Sequence, residues 1–416
     1  MKYRTDPHLS ENWALVGRLS CGKGAESLTG LVSSEPKQFA NKVGRRAVER
    51  IQYAPLMKER YIVDIGCGAA MAGESRRPDF RKVQVTGGNS FVVSLPKTWV
   101  TDVGLRAKDP VAVLVQPDSS LLIIPRRDIR ATPKSEAILE AAQGTDKDFL
   151  LRHFISYYLA GYDTIRITLG RTDSGLRGFI REGIRRKLVG VEIIEESSGG
   201  ILTQCLSGYV DLPLKKALER MAIIAGGMLS DSVGALQGGS KGLAQEVIER
   251  DDEVDRFYHF LLRQLNIAVR DRSVIQEIGL ASTRDCLGYR LVVKSAERVA
   301  DHAAAIAAQA ENLQMLSETS VKKISEMAAL SRKVFDGSIS ALLRQDGKAA
   351  EEAIAKTKEV VQMEGRLSSE ALAPRMSGTQ VASLKLMLES IRRTAEYGSD
   401  IAEVAIDLTV AEPKSV

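Results

Sequence analysis

The stretch VIERDDEVDRFYHFLLRQL, residues Val247 to Leu265, carries acidic side chains beside an apolar helical stripe. Its apolar residues recur at spacings of three, four and seven: Val247, Val254, Phe257, Leu261 and Leu265. This period predicts an amphipathic helix. On the flank of that stripe lie Asp251 and Asp255, one helical turn apart and bounded by apolar side chains. We therefore expect the two carboxylates to need a compensating partner.

The same acidic pattern occurs twice more along the chain. Glu297 and Asp301 are spaced four apart in RLVVKSAERVADHAAAIAAQAENL. Glu396 and Asp400 have the same spacing in SIRRTAEYGSDIAEVAIDL, and each lies 99 residues after its counterpart. Each pair precedes a run rich in alanine and isoleucine. The repetition predicts an internal duplication of a helical unit, and hence two similar bundles.

Breaks in the helical pattern divide the region from Asp211 to Val410 into long segments. They fall at Gly238-Gly239, around Arg272, near Ser317, at Gln345-Asp346-Gly347 and at Pro374 to Gly378. The breaks leave six helices of roughly 25 to 34 residues, which we interpret as two three-helix units joined near Ser317.

Short alternating runs precede these helices from Arg81 onward. RKVQV, FVVSL, VAVLV and LLIIP predict four strands of about five residues, and Pro96 opens one short helix between them. A unit of this size cannot bury its own apolar strands, so we expect it to dimerise.

The segment between the strands and the long helices has a mixed pattern. Residues 131 to 145 are interpreted as a connector. After them come a helix, a strand, a second helix and two strands, in the order DKDFLLRHFISYYLAGY, DTIRITLG, GLRGFIREGIRRKL, VEIIEES and ILTQCL. This order predicts a small α/β layer. On its second helix Arg177, Arg181 and Arg185 align, with Arg186 and Lys187 beside them. Such a stripe could bind DNA phosphates or an acidic partner, or be the solvated back of the helix.

Composition limits the class of protein. The 416 residues are 44% apolar and 5% aromatic, which suits packed helices rather than sandwiches. A net charge of +5 neither demands nor excludes nucleic acid. The four cysteines form no CxxC pair, which argues against a disulfide scaffold or a zinc knuckle. With no long apolar run and no signal layout, we expect a soluble, cytoplasmic protein without membrane insertion.

The first 78 residues lack sustained periodicity and mix glycine, serine and charged residues, which predicts a poorly ordered extension. Within it VDIGCGAA, Val63 to Ala70, resembles the first glycine-rich loop of methyltransferases that bind S-adenosylmethionine. That loop must lie between a core strand and a helix of a doubly wound domain. Neither neighbour is convincing here, so we interpret the match as accidental, in a loose tail or an upstream translation extension.

Four motifs in the strand-rich unit carry a family resemblance: GNS at Gly88 to Ser90, SLPKTW at Ser94 to Trp99, GL at Gly104 and Leu105, and LLIIP at Leu121 to Pro125. They resemble the AbrB-type swapped-hairpin DNA-binding family, which includes the MazE-like antitoxins. The resemblance implies an intertwined dimer whose basic residues contact DNA. Carried over to this sequence, those residues are Arg81, Lys82, Asn89, Lys97 and Arg126.

The sequence also departs from that family. Where relatives often carry an arginine in the second strand or the helix, it has Val92, Ser94, Thr98 and Val100. The remaining basic residues suit phosphates more than base edges, so we expect weak, salt-dependent DNA binding. The alternative is that this strand-rich unit only dimerises the chain and does not bind DNA.

Three motifs in the helical region carry a second resemblance: IERDDEVDRFY at Ile248 to Tyr258, AERVADHAAAIA at Ala296 to Ala307, and AEYGSDIAEVA at Ala395 to Ala405. They resemble PhoU, the phosphate-uptake regulator built from two three-helix repeats. With the AbrB-like unit in front, the order is similar to that of prokaryotic AbrB–PhoU fusion regulators. The resemblance implies repression of phosphate-uptake genes or restraint of the phosphate transporter. It implies as partners DNA, a second copy of the chain in a homodimer or higher homo-oligomer, the ATPase of the phosphate ABC transporter, and a sensor kinase.

The resemblance also implies metal binding, because PhoU relatives hold metal clusters through ExxxD or DxxxD motifs on neighbouring helices. Four carboxylates on facing helices repel one another unless a cation or protons neutralise them. Oxygen ligands suit iron, Mn or Mg, as a divalent or trivalent ion, better than zinc. The first site is Asp251, Asp255, Glu297 and Asp301. The second keeps Glu396 and Asp400 but has Val361 at the counterpart of Asp255.

A plainer interpretation of any single ExxxD pair is a solvated helix face. His302, beside Asp301, could add a ligand or point away from the helix as a surface residue.

Together these patterns predict a multidomain, mainly α protein. Its parts are the extension (1–78), the swapped-hairpin β unit (79–130), the small α/β domain (131–208) and two PhoU-like three-helix bundles (209–316 and 317–416). A phosphate-homeostasis regulator is the favoured function. A transcriptional regulator that senses a different ligand or metal is the alternative. We do not expect an enzyme. A di-metal carboxylate enzyme usually supplies Glu-x-x-His pairs, and this sequence has none. No nucleophile with a neighbouring base is visible either.

Overall fold

The structure is a computed structural model that describes residues 79–88, 90–115, 119–125, 135–142, 144–170, 174–206, 212–238, 241–370 and 376–410. The predicted extension over residues 1–78, with VDIGCGAA, lies outside these residues. Over the described part the chain is mainly helical, with small β-sheets and an α/β layer ahead of the long helices. The predicted fold class is therefore confirmed.

The first described elements are two β-hairpins separated by a short helix. They are β1 (Gln84–Thr86), β2 (Ser90–Val92), α1 (Lys97–Asp102), β3 (Val111–Val115) and β4 (Leu121–Pro125). Strand β1 pairs antiparallel with β2, and β3 with β4. The first two strands have three residues each, fewer than the five predicted. Large apolar side chains on both hairpins are exposed, including Phe91 at 77% and Val115 at 76%. The single chain therefore presents an apolar surface here.

Residues 135–206 include a four-stranded sheet with two helices packed on it. The elements are β5 (Glu136–Ala141), α2 (Lys147–Ala160), β6 (Thr164–Leu169), α3 (Ser174–Lys187), β7 (Val191–Ser197) and β8 (Gly200–Cys205). The strand order is β5-β6-β8-β7, with β5 parallel to β6 and the other pairs antiparallel. The prediction of a connector at 131–145 is wrong for 136–141, because Ala137 and Leu139 alternate into the core as β5 pairs with β6.

The first helical unit consists of α4 (Leu214–Gly238), α5 (Lys241–Arg270) and α7 (Thr283–Gln309), and a short helix α6 (Arg272–Glu277) lies between α5 and α7. The N-terminus of α7 is closed by a capping box, in which the Asp285 carboxylate accepts from the backbone N–H of Ser282. The capping satisfies backbone donors that the first turn leaves without helical partners.

The second unit consists of α8 (Glu318–Arg344), α9 (Gly347–Glu370) and α10 (Gly378–Asp407). The Ser317 hydroxyl caps α8 by accepting from the backbone N–H of Ser320 at 3.2 Å. Ser377 caps α10 in the same way through Gln380. The six long helices of the two units have 24 to 30 residues, as the spacing of the breaks predicts.

The two helical units share one apolar core. Helix α7 packs against α10, and α4 packs against α8. Within the second unit α8 and α10 approach closely, since a Cβ on Gly398 would lie 2.9 Å from Val334 Cγ1 and 3.1 Å from the backbone N of Phe335. In the described part of the chain, no helix is long and apolar enough to cross a membrane.

Candidate functional site

Helices α5 and α7 bring four of the predicted carboxylates together. Asp251 and Asp255 lie on α5, and Glu297 and Asp301 lie on the adjacent α7. We call these four residues the acidic cluster. Glu297 is buried, and the other three are partly buried. The structure therefore groups the residues that the sequence singles out, although grouping alone does not make a metal site.

Two lysines neutralise part of the acidic cluster. Lys187 Nζ donates to Asp255 Oδ2 at 2.9 Å. Lys294 Nζ lies 2.6 Å from each carboxylate oxygen of Glu297. Lys294 belongs to the same helix as Glu297, whereas Lys187 ends α3 of the α/β layer. One of the cluster's counter-charges therefore comes from another part of the fold.

The remaining two carboxylates differ in their partners. Arg298 Nη1 donates to Asp301 Oδ2 at 3.3 Å. Asp251 has no ion pair among the described residues. Burial, followed by the charges of the other three cluster carboxylates, raises the pKa of Asp251 to about 6. Asp251 is thus the carboxylate whose charge is least compensated.

Burial is also the main cause of the shifts at the two α7 carboxylates. It raises the pKa of Glu297, with a contribution from Asp301 and against the hydrogen bond from Lys294. It raises the pKa of Asp301 as well, against the charge of Arg298. Loss of hydration therefore dominates on both helices, and the cations offset it only in part.

The donor chemistry of the acidic cluster fits an oxygen-preferring cation such as Mg, Mn or iron. The four carboxylates are grouped, but they do not converge on one point that a metal ion could occupy. In the residues that the structure describes, no group of three or more His, Cys, Asp or Glu side chains is placed to hold a metal ion. Three of the four carboxylates face a lysine or arginine instead. A metal at this position would have to replace those pairings.

Among its described residues, the second repeat has no equivalent cluster. Glu396 on α10 accepts from Arg393 Nη1 at 2.7 Å and is also bonded by Arg392. Asp400, one turn further along, is exposed. Both acidic residues thus remain on one face of α10, but two arginines already neutralise Glu396.

The facing helix α9 explains why no further carboxylate joins that pair. Val361, at the counterpart of Asp255, is 42% exposed. Four residues earlier, Thr357 is buried, and its hydroxyl lies 3.2 Å from the Ala353 carbonyl oxygen and 3.4 Å from that of Ala395. An apolar and a hydroxyl side chain therefore occupy the positions that carry aspartates in the first repeat.

His302 contacts the second repeat. Its ring centroid lies 5.7 Å from that of Tyr397 on α10, and the two planes are tilted by 31°. Burial and the neighbouring arginines, Arg393 first, lower the pKa of His302. The half-buried His302 imidazole therefore packs against α10 rather than standing free on the surface.

The predicted DNA-contacting residues are exposed where the structure describes them. Arg81 Nη2 lies 2.5 Å from Asp79 Oδ2, and Lys82 follows it on the surface. Lys97 is the exposed first residue of α1. Asn89 and Arg126 lie outside the described residues. The described basic residues thus remain accessible to a polyanion, and their role stays a prediction.

The basic stripe on α3 has mostly internal partners. Arg177 Nη1 donates to the Ser197 carbonyl oxygen at 2.8 Å, and Arg181 Nη1 lies 3.4 Å from Glu196 Oε1. At the end of the helix Arg186 Nε donates to Asp252 Oδ2 at 2.9 Å. One predicted alternative was that the basic stripe binds an acidic partner. Its acidic partners here, Glu196 and Asp252, belong to the same chain.

Comparison with protein families identifies two kinds of domain in the chain. The PhoU domain matches residues 218–310 and 324–405. The family described as "Antidote-toxin recognition MazE, bacterial antitoxin" matches residues 84–131. The chain therefore consists, in these regions, of a MazE/AbrB-like domain followed by two PhoU domains.

Two solved structures are similar to part of the chain. The phosphate transport system regulatory protein PhoU from Streptococcus pneumoniae is 19% identical, with a TM-score of 0.42, 48% of this chain covered and 94% of that one. PhoU from Pseudomonas aeruginosa is 22% identical, with a TM-score of 0.41, 47% of this chain covered and 94% of that one. A search of curated proteins found no match.

Sequence reasoning found the acidic cluster but missed its cations. Lys294 lies three residues before Glu297, a spacing at which helix side chains meet, so that pair could have been anticipated. Lys187 and Asp255 are 68 residues apart, and no local spacing predicts their contact.

Proposed function

We propose that this chain restrains phosphate uptake, as a dimer that joins two PhoU domains to a DNA-binding module. The observation that carries the proposal is the order of domains: a MazE/AbrB-like domain at 84–131 precedes PhoU domains at 218–310 and 324–405. The combination places a regulator of phosphate transport and a module of DNA-binding type in one polypeptide. The role is regulatory rather than catalytic.

Two routes of action follow from that combination. In the first, the hairpin unit dimerises and contacts DNA near phosphate-transport genes through Arg81, Lys82 and Lys97, with Asn89 and Arg126 adding contacts. In the second, the PhoU domains contact the ATPase of the phosphate transporter or its sensor kinase. Exposed apolar strands and basic side chains on the hairpin unit support the first route.

We assign a regulatory cation, iron, Mn or Mg, to the acidic cluster. Asp251, Asp255, Glu297 and Asp301 would hold it, and when bound it would neutralise their charge. The uncompensated position of Asp251 supports this assignment. Glu396 and Asp400 form at most a half site, because the facing positions on α9 lack carboxylates.

Transcripts of phosphate-transport genes test the proposal in a deletion strain grown with ample phosphate. We expect transcript levels to rise in the deletion strain and to return to normal when the full chain is restored. A chain carrying Lys82→Ala and Lys97→Ala should fail to restore repression if the DNA route operates. Lys358→Ala, at an exposed lysine of α9, is the matched control. Raised uptake with unchanged transcripts would identify the transporter route, and no change in either would reject the proposal.

A further inference from the structure

The outer face of α7 carries two exposed leucines. Leu287 is 70% exposed and Leu291 is 62% exposed, whereas Val292 and Val293 beside them are fully buried. The two leucines are four residues apart, so their side chains lie one helical turn apart on the same face. A single exposed leucine is ordinary on a protein surface, but two on adjacent turns form an apolar ridge.

The end of α10 lies beside the start of α7, next to this ridge. A Cβ on Gly288 would lie 2.9 Å from Val404 Cγ1, so the two helices are in close contact here. Arg284 Nη1 donates to the Val410 carbonyl oxygen at 3.2 Å, and its Nη2 donates to the Asp407 carbonyl oxygen at 3.3 Å. Val410 is 60% exposed and adds to the apolar surface.

Basic side chains flank the apolar residues. Arg290 is exposed and forms no ion pair with another described residue. Arg284 is exposed and bonds carbonyl oxygens, which leave its full positive charge. The one acidic residue in the first two turns, Asp285, is engaged in capping the helix. We call the following residues the leucine–arginine surface: Leu287, Leu291, Val410, Arg284 and Arg290.

The internal duplication shows whether helix packing requires this surface. The counterpart of Leu291, 99 residues later on α10, is Ser390, and it is buried. The counterpart of Arg290 is Glu389, which is exposed and of opposite charge. The second PhoU domain therefore forms the same helix without the paired leucines and without the arginine. Packing of the repeat does not account for the leucine–arginine surface.

Charge and shape decide which partner this surface fits. A second copy docked by the same face would place the arginines of both copies against one another. The phosphates of DNA are contacted by polar and basic groups, which leaves the leucines without a role. A helix that lies on a membrane needs a broad apolar face, and α7 exposes only a narrow ridge. An amphipathic helix with acidic flanks can pack its apolar side chains against the ridge and pair its carboxylates with the arginines.

We propose that the leucine–arginine surface of the first PhoU domain binds an acidic amphipathic helix of another protein. The inference deepens the second route of action and rests on the proposed function for the biological role of that partner. The surface is formed by a few side chains at one end of α7 and α10. It is therefore smaller than the standard interface of roughly 1,600 Å² in total, and the contact is transient.

Fluorescence anisotropy with a labelled synthetic peptide of about 18 residues tests this binding on the full chain. The peptide carries leucines along one helical face and glutamates on both flanks. Leu287→Ser and Arg290→Glu should each weaken its binding at least about tenfold, because the first removes a central apolar contact and the second reverses a charge. Leu386→Ser is the matched control, since it changes the exposed counterpart of Leu287 in the second domain and should leave binding unchanged.

A second peptide, with lysines in place of the glutamates, tests the role of charge. It should bind Arg290→Glu more tightly than the wild type. Equal binding of the acidic peptide to the wild type and to Arg290→Glu would overturn the inference, as would no binding at about 1 mM peptide. Co-sedimentation of the wild type, but not of Leu287→Ser, with vesicles of phosphatidylglycerol and phosphatidylcholine would identify a membrane surface instead and also overturn it.

A photoreactive amino acid in place of Leu287 tests the natural partner in cells. The cross-linked segment should come from another protein and carry acidic residues beside apolar ones at helical spacing. Cross-links confined to a second copy of this chain, or no cross-link to protein, would overturn the inference. A cross-linked helix of this kind from a protein without a part in phosphate transport would support the inference and count against the transporter route. The transcript experiment decides the regulatory role independently.

Discussion

Replacement of Asp251 by asparagine should stabilise the metal-free protein at neutral pH. Asp251 is the cluster carboxylate without an ion pair among the described residues, and its pKa is raised to about 6. The charges that face it are Asp252 and Asp255 on its own helix, Glu297 and Asp301 on α7, and Lys187 from α3. Because the folded state disfavours the ionised form, an uncharged residue of similar size should be better tolerated.

The pKa gives the magnitude and the pH range of the effect. At about 1.36 kcal/mol per pKa unit, a rise from the ordinary value of 3.8 to about 6 corresponds to an upper limit of about 3 kcal/mol. Partial exposure to solvent reduces this to roughly 1–2 kcal/mol. A carboxyl whose pKa is higher in the folded than in the unfolded state does not lower the free energy of unfolding at a pH below its unfolded-state pKa. As the pH rises from that value to the folded-state pKa, it lowers the free energy of unfolding increasingly. The gain from asparagine should therefore be absent at pH 4 and complete above pH 7.

Thermal unfolding followed by circular dichroism, with a chelator present, measures the gain. For a unit of this size about 1 kcal/mol corresponds to roughly 2–4 °C in melting temperature. Asp255→Asn should have the opposite sign, because it leaves the half-buried Lys187 without its partner. Asp407→Asn, on the exposed end of α10, is the neutral control. Stabilisation by Asp251→Asn that is equally large at pH 4 and pH 8 would refute the electrostatic explanation.

Three further outcomes are expected. The full chain should sediment as a dimer, and Val113→Asp on the exposed face of β3 should convert it to monomer; a monomeric wild type at micromolar concentration would contradict the swapped-hairpin interpretation. DNA affinity should fall steeply with salt, and Lys97→Ala should lower the slope of log affinity against log salt by about 0.9, the value for one phosphate contact; tight binding to one sequence that persists at high salt would contradict it. Gly398→Val should destabilise the second PhoU domain by roughly 1–3 kcal/mol, because a Cβ would already lie 2.9 Å from Val334; an unchanged melting temperature would show that α8 and α10 separate readily.

The helical half of the fold follows from the sequence because its period and its breaks are local. Three of the predicted breaks lie at observed helix boundaries. Gly238 ends α4, Ser317 caps the start of α8, and Gln345 follows the end of α8 in a left-handed conformation. Strand β5 has no such local mark. EAILEA is poor in β-branched residues, and it becomes a strand only through parallel pairing with β6, which lies 28 residues further on.

The acidic cluster shows the same limit. The spacing of Asp251 with Asp255 and of Glu297 with Asp301 indicates which helix faces are acidic. It does not indicate that the end of α3 would dock there, because ion pairs across 66 to 68 residues leave no periodic pattern. The unpaired state of Asp251 and the ion pair of Asp255 are therefore properties that only the folded chain distinguishes.

Uptake of radiolabelled phosphate by cells measures the proposed restraint of phosphate transport itself. With ample phosphate in the medium, a strain lacking this chain should take up phosphate severalfold faster than its parent, and the full chain should restore the parental rate. The difference should shrink under phosphate limitation, where restraint is no longer required. Equal uptake by the two strains under both conditions would show that this chain does not restrain phosphate uptake.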